Sequence, residues 1–123
     1  MNISSNVNFF LGLQSQIKVI HWQTKSYSRH KAWDETFGDL LPLVDTFVEE
    51  AMGKYGRFEL DGDTKHIELF NMKELNVKEM IEKVIDALNQ FSDQFDQKDT
   101  NLLNIRDEML GLFNKLKYLL TLE

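Results

Sequence analysis

Apolar residues recur at steps of three and four along nearly the whole chain, and this period limits the fold more than any other feature. Residues that interrupt regular structure are sparse, since the 123 residues include one proline and six glycines. Nowhere do β-branched and aromatic residues alternate with polar ones over a long run, as they do in strands. The sequence therefore predicts an all-α fold. The length and the 42% hydrophobic content predict a single domain over residues 1–123.

The first half of the chain predicts two helices joined by a short polar link. The first helix is expected from about residue 5 to 24, and the second from Ser28, a candidate N-cap, to about residues 53–56. Pro42 lies inside the second helix, where it removes one backbone hydrogen bond. We expect a kink at Pro42 and not a break.

A longer connection, residues 57–75, separates this pair from the second half of the chain. The segment Asp61-Gly62-Asp63 is typical of a turn, and a weakly helical stretch is expected over 66–70. A connection of this length lets the two helices that it joins run parallel along a bundle.

The second half of the chain predicts two further helices. The third begins after Asn76, which forms a variant capping box with Glu79, and is expected to continue through Phe95. The fourth begins at Asp99 or Thr100 and runs nearly to the C-terminus. Two short links and one long crossover between the second and third helices indicate a ferritin-like, up-down-down-up four-helix bundle.

Charge and cysteine content exclude several classes of function. A net charge of −6 disfavours DNA binding, because affinity for phosphates comes mainly from clustered lysines and arginines. Cysteine is absent, so a metal ion would be held by histidine nitrogen or carboxylate oxygen, which favours iron, manganese or zinc. With no membrane-length apolar run and no signal-peptide pattern at the start, a cytoplasmic protein without a membrane span is expected.

Four potential metal ligands share one stripe of the second helix: His30, Asp34, Asp45 and Glu49. Their offsets of 0, 4, 15 and 19 residues correspond to about 0°, 40°, 60° and 100° around a helix. However, 15 residues of helix span roughly 22 Å, so His30 and Asp45 of one subunit cannot bind the same ion. The two halves of the stripe need another helix, or another copy of the chain, to complete a site.

His21 is a fifth candidate. It lies one turn after Ile17, at the border of the apolar face of the first helix, where its imidazole can meet His30 or Asp34. Histidine and carboxylate ligands together suit divalent iron, and an incompletely coordinated site lets oxygen or peroxide oxidise the metal.

At these residues the chain resembles the mini-ferritins of the starvation-induced DNA-protection (Dps) family. The residues that carry the resemblance are His21-Trp22, His30-x3-Asp34 and Asp45-x3-Glu49. The match covers roughly residues 10–57, and helical periodicity alone extends it further. The family's Lys-rich N-terminal tail has no counterpart in residues 1–10, so DNA binding is not expected.

The resemblance implies a ferroxidase centre shared across a two-fold dimer interface. In such a centre His21, His30 and Asp34 of one subunit face Asp45 and Glu49 of the partner subunit. It implies that Fe(II) is oxidised to Fe(III) by peroxide or oxygen, which limits oxidative damage. On the ligand chemistry alone, zinc or manganese are possible as alternative ions. The resemblance also implies a homo-oligomer built from two-fold dimers, up to a hollow dodecamer that stores oxidised iron.

The whole chain is also similar to small uncharacterised ferritin-like proteins of tailed bacteriophages. The segments that carry this similarity are Gly53-Lys54-Tyr55-Gly56-Arg57 and Asn104-Ile105-Arg106-Asp107-Glu108. A phage-encoded chain of this kind is expected in the cytoplasm of the bacterial host.

A second interpretation stays open, in which the protein is a non-catalytic helical oligomer, such as a phage accessory or virion component without iron chemistry. Taken singly, His21 is more typical of a core or interface residue, and Asp34 or Glu49 of a solvated helix face. Whether the chain is an enzyme is therefore undecided, with ferroxidase as the candidate activity.

Other conspicuous residues are expected to be structural. Trp22 and Trp33 are interpreted as core or interface aromatics, and His66 as a loop residue. Arg106 and Asp107 are expected to form an ion pair on the fourth helix.

Overall fold

The computed structural model describes residues 2–122 and confirms the all-α prediction within that range. Four α-helices occupy most of these residues: Ile3–Gln23 (α1), Tyr27–Tyr55 (α2), Val77–Gln90 (α3) and Thr100–Leu119 (α4). Three short 3-10 helices cover Gly62–Lys65, Met72–Glu74 and Phe91–Asp93, and no strand occurs between residues 2 and 122. No helix in this part of the chain has both the length and the apolarity that crossing a membrane requires.

The residue that caps the start of α2 is not the predicted one. Ser26, and not Ser28, accepts the backbone N–H of Arg29 on its hydroxyl oxygen, at 3.3 Å. An N-cap side chain accepts an unpaired N–H two or three residues further on, which Ser26 does, whereas the hydroxyl of Ser28 lies 3.1 Å from that of Ser26. From this cap, α2 runs unbroken through Pro42, as expected.

The third helix begins as predicted but ends too early for the predicted continuation through Phe95. At its start, the Asn76 side chain accepts the backbone N–H of Glu79 at 3.1 Å. At its end, the Ser92 hydroxyl donates to the carbonyl of Asn89 at 2.9 Å. A local bond of this kind competes with helical hydrogen bonding, and a 3-10 turn replaces the α-helix there.

The long connection between α2 and α3 lies along α1, where amide side chains bind its backbone. Asn8 donates to the carbonyl of His66 at 2.7 Å, and Gln16 both donates to the carbonyl of Phe70 at 2.9 Å and accepts its N–H at 2.8 Å. The side chain of Gln23 accepts the backbone N–H that lies two residues after Phe70, at 2.7 Å. Because α1 satisfies these backbone groups, the connection is non-helical from His66 to Phe70, and the weak helix predicted there is wrong.

The helices share one core, with α2 packed against α1 and α4, and α3 packed against α4. At one end of the bundle, aromatic rings from α1, α2 and the end of α3 meet edge to face. Phe10 lies 5.3 Å from Phe47 and 5.7 Å from Phe91 between ring centroids. At the other end, the first two turns of α2 and α3 and the last turns of α1 and α4 surround one cavity.

Candidate metal centre

Two histidines meet at the junction where α1 ends and α2 begins. His21 is in the last turn of α1 and is buried, and His30 is in the first turn of α2 and is half-buried. The three-residue link between the helices brings their rings into a stack, with centroids 3.9 Å apart and planes inclined by 22°. The sequence predicted this meeting from the position of His21 beside the apolar face.

Each imidazole is hydrogen-bonded to the backbone of the other histidine. His21 Nδ1 lies 3.0 Å from the carbonyl oxygen of His30, and His30 Nδ1 lies 2.9 Å from the carbonyl oxygen of His21. A carbonyl oxygen only accepts, so Nδ1 of both rings carries the hydrogen and donates it. In the neutral form of each ring, Nε2 is then unprotonated and has a free lone pair. The two bonds therefore fix the tautomer in which Nε2 can bind a metal ion.

Asp34 approaches this pair from one turn further along α2. Its Oδ1 lies 3.9 Å from Nε2 of His21, which is too far for a hydrogen bond, and its side chain is 64% exposed. A cation bound to both atoms at about 2.1 Å would hold them roughly 3 to 4 Å apart, so the observed separation suits a shared ion. Still, no group of three or more histidines and acidic residues within 2–122 is arranged to hold a metal ion by itself.

Asp45 and Glu49 are not brought to the histidines within one chain. Both are exposed on the second half of α2, and 11 residues of helix place Asp45 about 16 Å beyond Asp34. Neither carboxylate makes a hydrogen bond or an ion pair with any residue from 2 to 122. One subunit thus presents two imidazoles and one carboxylate at one end of the stripe, and two free carboxylates at the other.

An apolar strip separates the two groups of candidate ligands on the same side of α2. Phe37, Leu41 and Val48 lie within about 20° of the direction of His30 around the helix. Leu41 is 37% exposed, and the other two are half-buried. Gly38 lies beside Leu41, and a Cβ at this glycine would meet nothing within 4 Å. The strip is an open apolar surface with charged residues at both ends.

The remaining residues singled out in the sequence have structural positions. Trp33 is in the core, 1% exposed, whereas Trp22 is 68% exposed and is not a core residue. His66 lies in the connection, as predicted. The predicted ion pair on α4 is confirmed, with Arg106 Nε 2.9 Å from a carboxylate oxygen of Asp107.

The sequence missed a buried charge cluster at the far end of α2. Asp99 is completely buried, and its carboxylate accepts hydrogen bonds from Lys54 Nζ, from the Tyr55 hydroxyl and, at 3.0 Å, from the N–H of Asp96. Burial raises the pKa of the Asp99 carboxyl, but the bonds from Lys54 and Tyr55 outweigh burial and hold that pKa below its ordinary value. The same contact with Asp99 raises the pKa of Lys54. The sequence identified Asp99 only as a candidate helix cap.

Comparison with known proteins identifies a family whose function is unknown. The model of a family of unknown function (DUF5856) matches residues 21–120. A protein of Enterobacteria phage T4, described as an uncharacterized 14.6 kDa protein in the mobD-ri intergenic region, is 32% identical over 123 residues, which cover 97% of this chain and 91% of the relative. No solved structure matches. Neither match supports assignment to the Dps mini-ferritins.

Proposed function

Since the chain belongs to DUF5856, a family whose description states no activity, we propose a function from the site itself: a two-fold homodimer that binds Fe(II) between its α2 helices and oxidises it. The reciprocal bonds of His21 and His30, which leave both Nε2 atoms free to coordinate, are the observation that carries this proposal.

The order of the candidate ligands along α2 fits a two-fold axis. His30 and Glu49 are equally far from one point on α2, between residues 39 and 40, and Asp34 and Asp45 are equally far from the same point. A two-fold axis at that point, with the α2 helices antiparallel, puts His30 opposite Glu49 of the partner subunit and Asp34 opposite the partner's Asp45. Pairing of this kind completes two equivalent sites, one at each end of the interface.

The residues nearest that axis suit a close helix contact. The same pairing puts Gly38 opposite Leu41 of the partner subunit, and a glycine lets another helix approach closely. Phe37 and Val48 extend the apolar surface on either side. A shallow crossing of about 20° would keep the ligands at both ends within reach.

The donor set has the chemistry that iron requires. Two imidazole nitrogens and carboxylates from both subunits form a mixed nitrogen and oxygen set, which suits Fe(II). The negative charge of Asp34, Asp45 and Glu49 favours Fe(III) over Fe(II). In the overall reaction, two Fe(II) ions each give one electron to hydrogen peroxide, which takes up two protons and becomes two water molecules. Oxygen is the alternative oxidant, and zinc or manganese are alternative ions.

The wider architecture supports a ferritin-like bundle. α2 and α3 both begin at the cavity, and the connection between them follows α1 from Asn8 to Gln23, as an up-down-down-up arrangement requires. Assembly of the dimers into a dodecamer is a further proposal from the same resemblance. If this chain is phage-encoded, like its phage T4 relative, its place of action is the cytoplasm of the infected bacterium.

Loss of a ligand from either half of the site is expected to abolish iron oxidation. Anaerobic titration with Fe(II), followed by addition of peroxide or oxygen, should show a rate at least about tenfold lower for His30→Ala and for Glu49→Ala than for the wild type. Asp39→Ala removes a carboxylate from a different side of α2 and should leave the rate unchanged. If both ligand variants oxidise iron at the wild-type rate, the proposal is wrong.

The second candidate is a dimer with the same interface and no iron chemistry. The apolar strip favours it, because Phe37, Leu41 and Val48 gain from being covered whether or not a metal ion is present. Elemental analysis of the purified protein, together with its mass in solution, separates the two functions. Iron bound to the dimer or to a larger shell supports the first, and metal-free dimers support the second.

Enlarging the residue nearest the axis is expected to break the dimer without harming the fold. Gly38→Leu places a side chain where the isolated subunit has open space, and leucine favours helix over glycine by roughly 0.5 to 1 kcal/mol. The partner helix, however, could no longer approach. Sedimentation should therefore find monomers of at least wild-type stability. Gly111→Leu, at an equally open glycine of α4, is the matched control and should remain dimeric. A dimeric Gly38→Leu protein would exclude this axis.

A further inference from the structure

The cavity at the α1–α2 junction end of the bundle has a volume of about 640 Å³, within the range of small-molecule sites. Most of its wall is apolar, and part of that wall is the hydrophobic core itself. The apolar lining residues are Ile20, Trp33, Met72, Val77, Ile81 and Leu120. Trp33 and Ile81 are each only 1% exposed and belong to the packed core beneath the cavity, whereas Met72, Val77 and Leu120 are half-buried and present apolar surface to it.

The charged residues that line the cavity are mostly positive. Arg29, Lys78 and Lys117 contribute three positive charges, and Glu82 contributes the one negative charge. Glu82 lies 4.0 Å from Lys117, whereas Arg29 and Lys78 form no ion pair within the described part of the chain. This local excess of positive charge contrasts with the net charge of −6 for the whole protein.

Helix dipoles give the cavity no clear preference for a ligand of either charge. Two helix starts and two helix ends surround the cavity, and their partial charges have opposite signs. The side chains therefore decide the preference. Two unpaired cations beside a deep apolar wall match a ligand that carries a negative head on an apolar body.

We propose that this cavity binds a single-chain amphiphile with an anionic head, of the kind represented by a medium-chain carboxylate. The chain lies against the half-buried Met72, Val77 and Leu120, above the packed Trp33, and the head lies between Arg29 and Lys78. The ligand and the residues are distinct from the iron site, so this proposal is independent of iron oxidation and is tested on metal-free protein.

The test uses the fluorescence of Trp33 in a Trp22→Phe background, because the exposed Trp22 would add an unrelated signal. The metal-free protein is titrated with decanoate, octanoate and decanol. Decanoate should bind saturably and at least about fivefold more tightly than decanol, since only the carboxylate meets the cations. Octanoate should bind about fifteenfold more weakly than decanoate, at roughly fourfold for each of the two missing methylenes.

A charge-matched pair of variants identifies the cations that are responsible. Arg29→Gln with Lys78→Gln should remove the preference for decanoate over decanol. Lys31→Gln with Lys83→Gln removes as many charges from the same two helices outside the cavity, and should preserve that preference. No saturable change with decanoate, equal affinities for decanoate and decanol, or equal effects of the two double variants would each overturn the proposal.

An arm with vesicles separates a free amphiphile from a membrane surface. Vesicles of phosphatidylglycerol should not sediment the protein, because a cavity between helix ends admits one chain and not a bilayer. Sedimentation that the Arg29→Gln and Lys78→Gln changes abolish, and that decanoate does not compete away, would assign these cations to a membrane surface and overturn the proposal.

Discussion

An equimolar mixture of His30→Ala and Glu49→Ala chains, unfolded and refolded together, is expected to regain about one quarter of the wild-type rate of iron oxidation. Each variant alone lacks one ligand at both of its sites. In a mixed dimer, His30 of one chain and Glu49 of the other meet at one site, while the second site lacks both. Random pairing makes about half of the dimers mixed, and each has one intact site of two, which gives the quarter.

A second mixture provides the control. His30→Ala and Asp34→Ala remove ligands from the same half of the site, so every site in their mixed dimers has a defect. No recovery is expected from this pair. If the first mixture also fails to recover while mass measurements find mixed dimers, the site is not shared between subunits as the ligand order on α2 predicts.

Asp99→Ala is expected to lower the free energy of unfolding by about 2 to 3 kcal/mol. The carboxylate is buried and accepts three hydrogen bonds, of which the two from Lys54 and Tyr55 tie the end of α2 to the start of α4. Lys54 is partly exposed and can regain water, which keeps the loss below that of a fully buried pair. Urea unfolding measures the change. Asp107→Ala, which removes the 60% exposed carboxylate of the ion pair with Arg106, should cost under about 1 kcal/mol. If the two variants lost equal free energy of unfolding, the burial of Asp99 would add nothing to stability.

The same cluster gives the stability of the protein a defined pH dependence. The pKa of Asp99 is lower in the folded chain than its ordinary value of about 4, so the unfolded chain takes up the proton first as the pH falls. The contribution of Asp99 is therefore complete above about pH 4 and is lost below it. The raised pKa of Lys54 acts in the opposite range, with a contribution that is lost as the pH rises above about 10. Asp99→Asn should flatten the acid limb of an unfolding curve measured against pH.

The parts of this structure that the sequence predicted depend on neighbours within a few residues along the chain. Helical periodicity predicted four helices, and the short first link predicted that His21 would reach His30. The cap of α2 was assigned two residues late, to Ser28, because two serines stand close together and only Ser26 precedes a free N–H by three positions.

The parts that the sequence did not predict depend on distant partners. The connection is non-helical from His66 to Phe70 because Gln16 binds the backbone of Phe70, 54 residues away. Asp99 is buried because Lys54 and Tyr55, more than 40 residues earlier, cover it. A glutamine at position 16 is typical of a helix surface, and an aspartate at position 99 is typical of a helix cap. No local pattern therefore indicates either contact.

The reciprocal bonds of His21 and His30 decide whether the junction between α1 and α2 would survive the release of a metal ion. The fold holds each ring through Nδ1, while a metal ion of the proposed site would bind at Nε2. A ring protonated at Nε2 keeps its Nδ1 hydrogen, so the bond to the opposite carbonyl survives. Loss of a metal ion from Nε2 would therefore leave the contact between α1 and α2 in place, and the empty subunit would keep the geometry needed to bind another ion.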